Sequence, residues 1–172
     1  MARSVRIPGP YRYALFALVL LSWSSGIAFF SMNRWMQVEG EFGPQKHPWQ
    51  MSVLEIHGAA AFCMMIAFGA LLSAHVPAGW RARSLRSVGV ALVAAPAFLA
   101  LSGHLLYYLG DEQLRLSTSY AHAAVGFCLP FLLLVHVLQG AARRRRRSKL
   151  AEKRDLVGRG SVPEAADSLS LP

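Results

Sequence analysis

Charge is scarce in this chain, and it is missing where a water-soluble fold would need it. Only 16% of the 172 residues are Asp, Glu, Lys or Arg, and residues 13–33, 58–77, 87–110 and 117–142 contain none. A soluble helical domain of this size would carry a charged face on every helix, so that class is excluded. Each uncharged run is long enough to cross a hydrocarbon layer about 30 Å thick. Cysteine is nearly absent too. Cys63 and Cys128 are the only two, and both fall inside uncharged runs, which excludes an extracellular disulfide framework. No acidic residue lies within the four runs, so the intramembrane carboxylates common in ion-coupled transporters are lacking.

What charge there is has an ordered distribution. The formal net charge is +9, yet the basic residues are confined to the gaps between apolar runs, which argues against a nucleic-acid surface. Arg3, Arg6 and Arg12 precede the first run, Arg81, Arg83 and Arg86 follow the second, and Arg143 to Arg147 with Lys149, Lys153, Arg154 and Arg159 follow the fourth. The other two gaps hold only Arg34, Lys46 and Arg115, against Glu39, Glu41, Asp111 and Glu112. By the positive-inside rule both termini are cytoplasmic and the first and third connections lie outside. The expected fold is an all-α integral membrane protein, a four-helix transmembrane bundle. Its helices are expected at about 13–33, 51–75, 87–109 and 119–140 within a domain of residues 13–142. A basic tail (1–12) precedes it and a basic, partly disordered tail (143–172) follows. The first run is longer than a secretory signal's apolar core and reads as an uncleaved anchor. Pro77 and Gly79 are expected to end the second helix, and Pro96 and Pro130 to kink the third and fourth. The arginine run reads as a topology anchor drawn to anionic lipid.

Against this apolar background, histidine stands out. His57 and His75 are 18 residues apart in the second apolar segment, and His122 and His136 are 14 apart in the fourth. At 3.6 residues per turn these spacings are five turns and about four, so each pair lies along one helix face. A rise of 1.5 Å per residue separates the members by about 27 and 21 Å, near opposite edges of the bilayer core. Helices two and four run in the same direction, so His57 matches His122 in depth and His75 matches His136. Interhelical hydrogen bonding explains a single such residue. Four at matched depths favour ligation, because ionisable side chains inside a membrane are costly and mark functional sites. Two inward imidazoles toward each surface are what two stacked haems need for bis-histidine axial ligation. No Cys-x-x-Cys-His sequence occurs, so the haem would be of the non-covalent b type.

Around these four, Gly126 lies one turn after His122 and Gly140 one turn after His136, where a small residue gives a flat porphyrin room. Ala61, Met64, Phe68 and Leu71 continue the stripe between His57 and His75. His104, near the outer end of the third helix, is a further cofactor-binding candidate, as a substitute ligand, a donor to a propionate or quinone, or a hydrogen-bond partner within the bundle. His47, in a Pro-flanked loop, reads as solvated. Glu55 suits the positive end of the second helix, with a quinone-linked proton role as the alternative. Lys46, Arg81, Arg83, Arg86 and Arg115 read first as topology determinants and second as propionate partners. Cys63 and Cys128 read as small core residues.

The stretch 102–112, Ser-Gly-His-Leu-Leu-Tyr-Tyr-Leu-Gly-Asp-Glu, followed by Arg115, His122, Gly126, Pro130 and His136, resembles the last two helices of a bacterial di-haem cytochrome b family. That family includes the membrane subunits of respiratory formate dehydrogenase and nickel–iron hydrogenase. The resemblance covers about half the chain. It implies a four-helix bundle in the bacterial inner membrane that binds two b haems and exchanges electrons with a quinone, with His122 and His136 as ligands. In the formate dehydrogenase type a first-helix histidine is also a ligand. Helix one here has none, so either His75 takes its place or one haem binds.

The expected function is therefore electron transfer between a quinone pool and a redox partner protein or catalytic subunit, through haems held by His57 with His122 and by His75 with His136. Two other classes remain open. One is a stand-alone haem oxidoreductase acting on superoxide or ferric iron, with Lys46 and Arg115 attracting an anion. The other is a haem-free scaffold or transporter.

Overall fold

Pro8 and Pro10 set the start of the first helix. Pro8 is extended (φ −55°, ψ 145°), and Pro10 falls in the first turn, where a missing N–H costs nothing. The structure, a computed structural model, describes residues 8–81 and 86–160, with side chains as far as Val157. Arg3, Arg6, Arg83, the side chain of Arg159, and the part of the tail expected to be disordered that follows residue 160 lie outside that description. The chain divides into two compact units, Met1–His136 and Val137–Pro172.

Four helices, α1 (Gly9–Trp35), α2 (Gln50–Arg81), α3 (Arg86–Tyr108) and α4 (Glu112–Gly160), make up nearly all of the described chain. Each is long and apolar enough to cross a membrane. Between α1 and α2 lies an element that the polar loop composition did not announce. Strands β1 (Gln37–Gly40) and β2 (Gly43–Lys46) form an antiparallel hairpin in which Gln37 pairs with Lys46 and Gly40 with Gly43. Gly43 takes φ +105°, a conformation costly for any residue with a Cβ.

Helix ends differ from the expected ones for local reasons. α2 runs through Pro77 to Arg81. A proline so near a C-terminus removes one backbone hydrogen bond, and Arg81 Nε donates to Pro77 O at 3.3 Å, satisfying a terminal carbonyl. α4 begins at Glu112 because Asp111 caps it, its Oδ1 accepting from Leu114 N–H at 2.8 Å. α4 also continues beyond residue 140. The second unit holds this continuation, a run of strong helix formers from 141 to 157 without Gly or Pro. Its side chains are exposed from Ala142 to Val157.

The first unit is apolar outside and polar inside. Leu20, Phe62, Ile66 and Leu101 are each more than 60% exposed, on faces suited to lipid. Of the six buried residues among those described, four are polar: Ser22, Ser25, Gln50 and Ser102, beside Ala60 and Leu129. Polar groups between apolar helices are costly in a membrane, which makes this interior the candidate for a functional site. α1 packs most closely on α2. Their hairpin ends are tied by Gln50 Nε2 donating to Asn33 Oδ1 at 3.0 Å, and Tyr11 Oη donates to Ala67 O lower down. α1 meets α4 through Trp23 Nε1, which donates to Phe127 O at 3.3 Å, and through the Phe30 and Tyr120 rings, 6.1 Å apart. α2 and α4 meet through side chains rather than by close backbone approach.

Candidate functional site

Helical periodicity delivers the four histidines to the interior. On α2, residues 57, 60, 61, 64, 67, 68, 71 and 75 are all less exposed than their outward neighbours, and on α4 the same holds for 122, 125, 126, 129, 132, 133 and 136. His57 and His122 face each other with ring centroids 6.3 Å apart and planes crossed at 77°. His75 and His136 repeat the arrangement at 6.4 Å and 78°. We call these the near pair and the far pair, by distance from the β-hairpin. The cross-helix matching expected from depth is thus what the structure contains.

The separation can be tested against coordination chemistry. An imidazole nitrogen sits about 2 Å from a metal and about 1 Å from its own ring centre, so two axial imidazoles place their centroids about 6 Å apart. Both pairs meet this spacing, and both are too far apart to hydrogen-bond ring to ring. Crossed planes are acceptable, since each ring rotates about its metal–nitrogen bond. No cluster of three or more His, Cys, Asp or Glu side chains suited to a metal occurs among the described residues. A metal held by three or four protein donors has no site there. Two donors per site suit a metal whose remaining positions are filled by a macrocycle, as in haem.

At the near pair the rings are held from behind. His57 Nδ1 lies 2.9 Å from the carbonyl of Ser22. A carbonyl only accepts, so Nδ1 carries the proton and donates. Ser25 Oγ, 3.3 Å from the same nitrogen, gives its own proton to Leu21 O at 2.6 Å and so also accepts from the ring. His122 Nδ1 lies 2.8 Å from Ser102 Oγ, and that hydroxyl is 2.7 Å from Phe98 O. The single hydroxyl proton serves both contacts only if it goes to Phe98 O while Nδ1–H donates to Oγ. Neutral imidazole protonated at Nδ1 has a bare Nε2 lone pair, and no hydrogen bond occupies Nε2 of either ring among the described residues. Metal-binding histidines are characteristically held this way.

Two glycines complete the cradle. A Cβ at Gly26 would come within 3.0 Å of His57 Cε1, and one at Gly103 within 3.3 Å of His122 Cε1. Each glycine directly follows the serine that contacts the same ring. The chain contains only two Ser-Gly dipeptides, Ser25-Gly26 and Ser102-Gly103, one on α1 and one on α3.

The far pair is less furnished. His136 Nδ1 is buried without a hydrogen-bond partner, and no hydrogen bond to His75 is formed among the described residues. Two of the expected arginine partners bond locally instead, Arg81 to Pro77 O and Arg86 Nη2 to Trp80 O at 3.1 Å, with the Arg86 guanidinium over the Trp80 ring.

The remaining candidates are placed elsewhere. Gly126 faces α3, where a Cβ would make ordinary contact with Leu99 at 3.6 Å, so its place is one of helix packing. Gly140, in the second unit, has Arg144 as its neighbour. His104 is exposed, and its ring contact is Tyr108 at 4.8 Å. His47 is half-buried and accepts from Trp49 N–H through Nδ1 at 3.2 Å. Cys63 and Cys128 are exposed rather than in the core. Six residues turn a helix by about 600°, so each points well away from the face that His57 and His122 define.

No family model, curated protein or solved structure matches the chain.

The serines and glycines behind the near pair were not anticipated from sequence. The signal available was the repeated Ser-Gly dipeptide, which on its own is indistinguishable from small-residue helix packing.

Proposed function

We propose that this chain is a membrane b-type cytochrome of the bacterial inner membrane. It binds two haems, one between His57 and His122 and one between His75 and His136, and carries electrons between a quinone pool and a redox partner. The observation that carries this reading is the repetition of one imidazole geometry at two depths, 6.3 Å and 77° against 6.4 Å and 78°. Helix–helix adhesion accounts for the bonds from His57 to α1 and from His122 to α3. It gives no reason for the far pair to repeat the spacing without such bonds.

Bound haem supplies reversible one-electron chemistry between ferric and ferrous iron. His57 with His122 and His75 with His136 would supply the nitrogens that hold the group, Ser22, Ser25 and Ser102 fix the orientation of the near pair, and apolar helices surround both pairs. Electrons enter and leave through other molecules. A quinone dissolved in the bilayer and a redox protein at its surface are the partners whose solubility fits a chain of this kind. The distribution of Lys and Arg supports cytoplasmic termini, with the β-hairpin outside and the near pair on that side. The resemblance of residues 102–136 to the di-haem cytochrome b family points the same way.

The test is spectroscopic. Protein purified in mild detergent is expected to give a reduced-minus-oxidised spectrum of the b type and about two haems per chain. Folded but colourless protein from haem-replete cells overturns the reading.

A further inference from the structure

The two imidazole pairs share a spacing but not a setting. Behind His57 stand the Ser22 carbonyl, the Ser25 hydroxyl and the bare Cα of Gly26. Behind His122 stand the Ser102 hydroxyl and the bare Cα of Gly103. Behind His136 there is a buried Nδ1 with no partner.

We propose that Ser25 and Ser102, with the Ser22 carbonyl, are positioning residues that hold His57 and His122 as Nδ1–H tautomers aimed at one iron, making the near pair the tighter of two unequal haem sites. The inference rests on the haem reading above and goes beyond it by ranking the sites and naming what ranks them.

Three observations converge. First, each hydroxyl proton is already spent within its own helix, on Leu21 O and on Phe98 O. A serine in a membrane helix commonly bonds the carbonyl four residues back. Here that habit has a consequence for the neighbouring helix, because it leaves the oxygen as an acceptor only, and an acceptor beside Nδ1 selects the tautomer with Nε2 bare. Second, Ser22, Ser25 and Ser102 are three of the four buried polar residues among those described, so the accepting side of these part-buried bonds is withdrawn from water. Third, the device occurs twice on unrelated stretches of chain, the partners being 32 residues apart in one case and 20 in the other. Both copies serve the same pair.

An imidazole that donates from Nδ1 is a more basic ligand through Nε2 and cannot flip to the wrong tautomer. Loss of such an outer contact typically weakens metal binding about 10- to 100-fold. A more electron-rich ligand also favours ferric over ferrous iron, so the near haem is the lower in potential. Among the described residues the far imidazoles have no partner that fixes a tautomer, and binding there must select one.

The experiment is titration of the apo-protein, prepared from haem-limited cells in detergent, with haemin, followed by a redox titration. Two affinity classes are expected. The tighter disappears in His122→Ala and survives in His136→Ala. In Ser102→Ala the tighter class weakens about 10- to 100-fold, and the lower of the two midpoint potentials rises, while Ser102→Thr restores both. Ser25→Ala is the second variant, expected to shift the same class less, because His57 keeps the Ser22 carbonyl. Circular dichroism and the melting temperature of each apo variant separate a positioning role from a purely structural one, which would move stability and leave the potential unchanged. A single affinity class, a tighter class that survives His122→Ala, or wild-type affinity and potential in folded Ser102→Ala overturns the inference and leaves the cytochrome reading intact. Wild-type protein that binds no haemin overturns both.

Discussion

Gly26 lies so close to His57 that a Cβ at position 26 would stand 3.0 Å from the ring's Cε1, while its counterpart at Gly103 would stand 3.3 Å from His122. The difference predicts a graded response. Gly26→Ala asks the ring to give by a few tenths of an ångström at two atoms, Cε1 at 3.0 Å and Nδ1 at 3.2 Å, and is expected to cut near-site haem occupancy several-fold. Gly103→Ala meets one atom in that range and should cost less. Gly58, with nothing within 4 Å of its would-be Cβ, is the control and should tolerate alanine with full haem content. Haem-to-protein ratios from the alkaline pyridine assay decide the order. Equal effects at 26 and 58 would remove the steric argument.

Single ligand deletions should be selective. His122→Ala and His136→Ala are each expected to retain one haem of two, with different residual potentials, since each removes a ligand from a different pair. His104→Ala should retain both, because its ring lies against Tyr108 and is exposed. Loss of a haem in His104→Ala would restore that residue to the ligand set.

Gln50 and Asn33 offer a test of stability remote from both pairs. Gln50 is buried, its Oε1 lacks a partner, and its Nε2 is satisfied by Asn33. Asn33→Leu leaves the whole buried amide unpaired and is expected to destabilise by about 1–3 kcal/mol. Gln50→Leu removes the stranded groups along with the bond and should cost less, and thermal denaturation in detergent gives the ranking. A larger loss in Gln50→Leu would contradict it.

The exposed positions of Cys63 and Cys128 predict that a double alanine variant keeps wild-type haem content. In that background, a single cysteine at Phe42, which is 92% exposed at the hairpin tip, should react with a membrane-impermeant maleimide in whole spheroplasts. One placed at Ser148 should react only after the membrane is opened. The reverse pattern would invert the proposed topology.

Much of the architecture was readable from hydrophobic run length and phase. Four uncharged runs specify four helices, and the spacing of His57, His75, His122 and His136 specifies which pairs meet, because periodicity alone determines face and depth. The helix ends were less legible. Lack of charge marks the part of a helix that suits lipid, whereas caps and propensities mark the helix itself, so α4 reaches back to Glu112, beside its cap Asp111, at one end and through the arginine run at the other. The hairpin was hidden by a composition that fits a loop equally well. The cradle behind the near pair was hidden for a deeper reason. Its bonds join residues 20 and 32 positions apart on different helices, and nothing in a serine reveals which way its spare lone pair points until the neighbouring helix is in place.

Each near-pair ring leans on the helix immediately before its own in the chain, α1 for His57 and α3 for His122. Aim is therefore established inside each antiparallel hairpin of helices, with no hydrogen bond to either ring from the other half among the described residues. During synthesis the first half can settle its imidazole before the second emerges from the ribosome. On the reading proposed above, the second then brings an imidazole already turned the right way, and haem is the closing rivet between two prefabricated halves.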